Sequence, residues 1–129
     1  MTRRPAAYFV FAALSVVALA TGACTDREAD AAALTHGGNA DHGKGLIRAY
    51  GCGACHTIPG VRGAEATVGP DLAGVASRAY VAGVTPNTPE NLMRWIQDPQ
   101  AVDDKTAMPN LNVSERDARD IAAYLYTLK

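Results

Sequence analysis

The sequence has no run of lysine or arginine and no stretch of alternating apolar and polar residues long enough to make a strand. No apolar run reaches the length of about 20 residues that a membrane-spanning helix needs. The formal charge is −1 at neutral pH, from 12 basic and 13 acidic residues. Without a basic excess, nucleic acid is excluded as an expected partner. Without period-two patterning the class is all-α. Only three cysteines are present, Cys24, Cys52 and Cys55, too few for a disulfide framework. Internal repeats are absent as well.

The N-terminus reads as an export leader. Arg3 and Arg4 supply positive charge, and Ala7 to Ala20 is an uninterrupted apolar run, short of a membrane span and typical of a signal peptide. Residues 1–23 are assigned to it. "TGAC" (Thr21 to Cys24) resembles a bacterial lipobox, apart from threonine where leucine is usual; cleavage after Ala20 is the alternative. Residues 24–40 are polar, rich in alanine and glycine, and aperiodic, which reads as a flexible tether. A lipid on Cys24 followed by a tether would also account for the odd cysteine. Residues 1–23 carry two basic and no acidic residues, so the rest carries 10 − 13 = −3.

Residues 41–129 show three helical patterns. Gly43, Leu46, Ile47 and Tyr50 share one apolar face. "TPEN" opens a second helix with Thr88 as N-cap and Pro89 at its first position; Leu92, Trp95 and Ile96 form its face and Pro99 stops it. "SERD" opens a third, with Ser114 and Asp117 in a capping-box-like relation, burying Ala118, Ile121, Ala122, Leu125 and Leu128. Three helices in about 90 residues make a thin core. The connections at roughly 57–87 and 100–113 are long for such a domain, which argues for a large group on which they pack.

"GCGACHTI" (Gly51 to Ile58) contains Cys52, Cys55 and His56. A thioredoxin-like pair would follow a strand in a βαβ unit, which is missing. Zinc would need two more ligands, and only Cys24, His36 and His42 in or near the tether could supply them. C-x-x-C-H is the attachment signature of haem c: two thiols bond the porphyrin and the next histidine lies under the iron. The cofactor expected is therefore one haem c, held through Cys52 and Cys55 with His56 as metal ligand. Of the methionines, Met1 leaves with the leader, and Met93 sits beside a helix face, where packing is the ordinary role. Met108 lies in the irregular "DDKTAMPNL", where Pro109 stiffens the chain, and is the expected distal ligand; saturating both axial positions favours electron transfer over ligand chemistry.

The order CxxCH, "GPDLAGVASR", "NLMRWIQDPQ", "TAMP", "DIAAYLYTL" resembles the class I c-type cytochromes over residues 41–129. The resemblance implies the cytochrome c fold, three main helices and long loops around one covalent haem. It implies that the Pro70 carbonyl accepts a hydrogen bond from His56, that Arg78 and Thr106 meet the haem propionates, and that Trp95 stands against the haem. It further implies that Tyr124 crosses the first helix at a glycine, with Gly43 preferred on its shared face and Gly45 as the alternative. "AYVAGVTPNT" (Ala79 to Thr88) carries no residue-by-residue match. The function implied is a non-enzymatic, monomeric, monohaem carrier of single electrons in a periplasmic respiratory chain. Its partner would be a membrane terminal oxidase or another respiratory complex. The alternatives are an electron-accepting subunit of a periplasmic dehydrogenase or reductase, and a haem sensor or peroxidase with an open iron.

Overall fold

A computed structural model of the chain describes residues 22–129, with side chains from residue 26 onward. The expected leader and the side chain of Cys24 fall outside what is described. Among the described residues are four α-helices: α1 (Gly22–Leu34), α2 (Ala40–Ala49), α3 (Pro89–Gln97) and α4 (Glu115–Tyr126). Three short 3₁₀ turns lie between them, at Cys52–Ala54, Val75–Ser77 and Pro99–Ala101. No described helix is long and apolar enough to cross a membrane. The fold is all-α, as the patterning implied.

The helix starts follow local chemistry. The Asn39 side chain accepts from the His42 amide at 2.9 Å and opens α2. Thr88 accepts from Asn91 to open α3, with Pro89 just inside, where its missing amide costs nothing. Ser114 accepts from Asp117 at 3.1 Å to open α4.

Residues 24–40, expected as a flexible tether, are mostly helical. They make α1, and its C-terminal part packs on α4. Ala31 is buried and the Thr35 hydroxyl, fully buried, donates to the Ala31 carbonyl at 2.7 Å. His36 and Gly37 then take positive φ and stop the helix. Alanine has the highest helix propensity, so an alanine-rich segment can be helical while presenting almost no apolar face to read.

The connection at Ala79 to Thr88 also holds regular structure, a ladder of β1 (Tyr80–Val81) and β2 (Thr85–Pro86) pairing Tyr80 with Pro86 and Val81 with Thr85. Two residues per strand leave no periodicity to detect.

Helix α4 is the spine of the domain. Its residues Ala118 and Asp120 to Tyr126 are buried, against α2, α3 and α1. Helices α2 and α4 cross at Gly43, where an added Cβ would stand 1.9 Å from the Asp120 carbonyl oxygen. Gly45 faces open space. The glycine at the crossing is Gly43, but the α4 element it meets is the backbone of Asp120, one turn before Tyr124.

Asp120 also ties the start of α2 to α4. One carboxylate oxygen accepts from the Asn39 amide at 2.8 Å and the other from His42 Nδ1 at 2.7 Å. Burial alone would push this carboxyl up, but the Asn39 amide and the His42 ring, with Arg116 nearby, hold it below its usual value. A carboxyl with a depressed folded pKa adds stability above its unfolded value of about 3.9 that is lost as pH falls through the folded one. Denaturant midpoints of the wild type are therefore expected to drop as pH falls below about 4. Asp120→Asn should be less stable at neutral pH by about 1–3 kcal/mol and show a flatter acid limb. Parallel limbs in the two proteins would count against this account.

Candidate functional site

The site begins where α2 ends. Gly51 takes a left-handed conformation (φ 75°), which glycine adopts without a Cβ penalty, and turns the chain into the 3₁₀ turn at Cys52–Ala54. The Cys55 and His56 amides both donate to the Cys52 carbonyl, at 3.2 and 3.1 Å. This winding brings two half-buried, unpaired thiols and the following imidazole together on one short segment. Burial pushes the Cys52 thiol pKa up. Among the described residues no group of three or more His, Cys, Asp or Glu side chains is placed to hold a metal ion.

The loop after His56 is built around its ring. The Gly69 amide donates to the Cys55 carbonyl at 2.7 Å, and the Leu72 amide to the Thr57 carbonyl at 2.9 Å. Thr57 and Glu65 form a bridge, and the Thr57 hydroxyl donates to the Ala66 carbonyl at 3.0 Å. These bonds press the loop against the imidazole. His56 Nδ1 lies 2.7 Å from the Pro70 carbonyl oxygen. A carbonyl only accepts, so Nδ1 carries the proton and Nε2 keeps its lone pair for a ligand. A Cβ at Gly69 would come within 2.5 Å of Cε1 of the same ring.

Arg78 donates from one guanidinium nitrogen to the carbonyls of Asp71 and Ala73, the latter at 3.1 Å, so it braces the turn that follows Pro70. Trp95 is half-buried against the core, as are Leu46, Leu72, Met93, Leu111 and Leu128.

Met108, half-buried, sits in a stretch held by its main chain. Its amide donates to Thr106 Oγ1 at 3.2 Å, and its carbonyl accepts from Gln100 Nε2 at 2.7 Å. The Thr106 hydroxyl thus serves the Met108 backbone, with its own proton still free to donate. Tyr124, expected at the glycine of the helix crossing, instead donates its hydroxyl to the Pro59 carbonyl at 2.6 Å and fills the space above Gly60. It clamps the loop after the CxxCH segment onto α4, and burial pushes its phenol pKa up.

Gly69 and Gln100 were not among the residues picked from sequence. Both act through contacts that cross 13 and 8 positions of chain, Gly69 to His56 and Gln100 to Met108, and nothing local announces them. The donor set as a whole comprises two free thiols, an imidazole whose Nδ1 is engaged by Pro70 and whose Nε2 is left to a ligand, a thioether in a braced loop, and a margin of half-buried apolar side chains. That set suits a flat apolar macrocycle bonded through both sulfurs, with nitrogen and sulfur on its iron.

The family model described as Cytochrome c matches residues 40–129. Two curated relatives, both named cytochrome c oxidase subunit 2, are similar to the chain. That of Alkalihalophilus pseudofirmus is 34% identical over 91 residues, covering 70% of this chain and 26% of the relative. That of Bacillus subtilis is 34% identical over 96 residues, with the same coverage of each. The chain thus spans about a quarter of the length of these relatives. No solved structure gives a significant match.

Proposed function

The chain belongs to the cytochrome c family, whose members carry covalent haem c and transfer electrons, and from that premise we propose that it is a monohaem carrier of single electrons feeding a terminal oxidase. The observation that carries the reading is the His56 ring, locked by Pro70 so that Nε2 is the free nitrogen. When bound, the haem supplies an iron that alternates between ferric and ferrous states. Cys52 and Cys55 would hold it to the segment that follows α2, and His56 would offer Nε2 as a ligand to its iron. Met108, its main chain braced by Thr106 and Gln100, would offer its thioether as the second iron ligand, and that ligation would keep out water and other small ligands and favour a high potential. Trp95 would support the ring from the core, and the Thr106 proton, with the guanidinium nitrogens of Arg78 not spent on Asp71 and Ala73, would serve its propionates.

The oxidase as partner is supported by the printed names of the relatives. The leader and Cys24 support a periplasmic location at the membrane, with the lipid raising the effective concentration of carrier near a fixed partner. Because those relatives are themselves subunits of an enzyme, a second reading is a haem-bearing component of a larger complex, a periplasmic dehydrogenase or reductase included. Copurification of the full chain with its partner distinguishes the two.

The test is spectroscopic. Expressed with haem-maturation machinery, the oxidised wild type should show the weak far-red band of sulfur–iron ligation, and Met108→Ala should lose it entirely. The variant should also bind carbon monoxide when reduced and have a lower midpoint potential. A wild type that lacks the band and binds carbon monoxide readily at neutral pH would overturn the carrier reading in favour of a sensor or peroxidase. For the partner, the reduced protein should be oxidised by oxidase-containing membranes, and Cys24→Ser, which removes the anchoring thiol and leaves α1 intact, should slow that reaction.

A further inference from the structure

The segment before Met108 is anchored in a way that an ordinary surface loop is not. Pro99 is fully buried and starts a 3₁₀ turn whose Ala101 amide is capped by the Asp98 carboxylate at 3.4 Å. The Val102 and Asp103 amides both return to the Pro99 carbonyl, at 3.1 and 2.9 Å. Arg94, from α3, donates to the Ala101 carbonyl at 3.4 Å. Gln100 therefore stands on a rigid base attached to the core. From that base its side chain spans eight positions of chain and donates from Nε2 to the Met108 carbonyl at 2.7 Å. Among the described residues the backbone of Met108 is otherwise held only locally, by Thr106 two positions away. The residues after it, Pro109 and Asn110, are exposed.

We propose that Gln100 is a positioning residue: its amide latches the Met108 peptide to the 3₁₀ turn that follows α3 and sets how readily an outside ligand displaces the methionine sulfur from the iron. The inference rests on the reading of Met108 as axial ligand and adds to it the element that holds the ligand in place. Swinging Met108 away moves its peptide, and with the Gln100 bond intact that movement costs a hydrogen bond to a carbonyl that has no other side-chain donor among the described residues. Without the bond, the stretch from Lys105 to Asn110 is tethered to the core by its two ends alone. The latch acts through the Met108 main chain, which separates it from the ligands themselves.

The experiment uses the haem-loaded full chain and titrates imidazole into the oxidised protein, following loss of the far-red band. Gln100→Met keeps length and removes the donor, Gln100→Glu faces a carboxylate against the Met108 carbonyl, and Gln100→Lys restores a donor of similar reach. Imidazole affinity is expected to rise about two- to tenfold in Gln100→Met, the worth of one net hydrogen bond. It should rise further in Gln100→Glu and return towards wild type in Gln100→Lys. Denaturant midpoints, measured beside the titrations, should vary far less than the affinities. Equal imidazole affinities in all four proteins would overturn the latch. So would affinities that merely track global stability, or a Gln100→Lys variant no different from Gln100→Met. A wild type without the far-red band would instead remove Met108 as the ligand, and the latch with it.

Discussion

Replacing Gly43 by alanine is expected to leave the chain unable to fold, while the same change at Gly45, two positions along the same helix, is tolerated. A methyl at residue 43 would stand 1.9 Å from the Asp120 carbonyl oxygen, 2.4 Å from its carbon and 2.9 Å from the Ile121 nitrogen. All three are backbone atoms of α4, so no rotamer change relieves the overlap. The helices would have to part along the contact where Ile47, Ala118, Ile121 and Ala122 are buried. The Asp120 bonds to Asn39 and His42 span the same junction and would be pulled apart together. The cost should exceed about 4 kcal/mol, the level reached only when a core contact fails outright. Whole domains hold only about 5–15 kcal/mol in reserve, and this one has a thin core. At Gly45 nothing lies within 4 Å, and alanine in an exposed helix position gains about 0.5–1 kcal/mol over glycine. Circular dichroism with denaturant titration of the two variants reads both effects. A Gly43→Ala protein within about 1 kcal/mol of wild type would show that α2 and α4 do not cross this closely.

Much of this frame was readable before any coordinates. The face of Gly43, Leu46, Ile47 and Tyr50 marks α2 because burial along a helix recurs with its turn. Thr88, Pro89 and Ser114 mark helix starts because capping is a bond between near neighbours. Cys52, Cys55 and His56 are legible for the same reason: the chemistry that needs them needs them adjacent. What escaped has the opposite character. Among its described side chains helix α1 buries little beyond Ala31 and so shows no stripe. The partner of Tyr124 is the Pro59 carbonyl, a backbone atom with no side-chain signature. The Met108 carbonyl that Gln100 holds is likewise main chain. Gly69 looks like any loop glycine until the loop is folded back on His56. Sequence pattern reports contacts within an element, whereas the loops here are placed by bonds to main-chain atoms, which every residue carries alike.

Gly69→Ala is where that hidden layer should have its largest functional effect. Gly69 does not take a positive φ, so alanine costs the backbone nothing there, and the consequence falls on the imidazole. The new Cβ would lie 2.5 Å from Cε1, 2.7 Å from Nδ1 and 3.1 Å from Nε2 of His56. Gly69 cannot retreat, because its amide is bound to the Cys55 carbonyl at 2.7 Å in the segment that carries the thiols. The ring must therefore leave, giving up its bond to Pro70 and turning Nε2 away from the position it held. Loss of that one bond costs the apo chain only about 1 kcal/mol, so the polypeptide should still fold. Ligation, by contrast, depends on placing one nitrogen to within about 0.5 Å. Most of the Gly69→Ala protein should fail to acquire covalent haem, and any that does should be high-spin and bind carbon monoxide when reduced. Pro70→Ala makes the matched control: the carbonyl that holds His56 belongs to the main chain and survives the substitution, so that variant should keep a low-spin spectrum. Haem content by pyridine haemochrome assay, together with visible spectra, decides the matter. A Gly69→Ala protein with full haem content and an unchanged low-spin spectrum would mean that His56 is not packed on Gly69. The lock that leaves Nε2 free would then have to be sought elsewhere than in this loop.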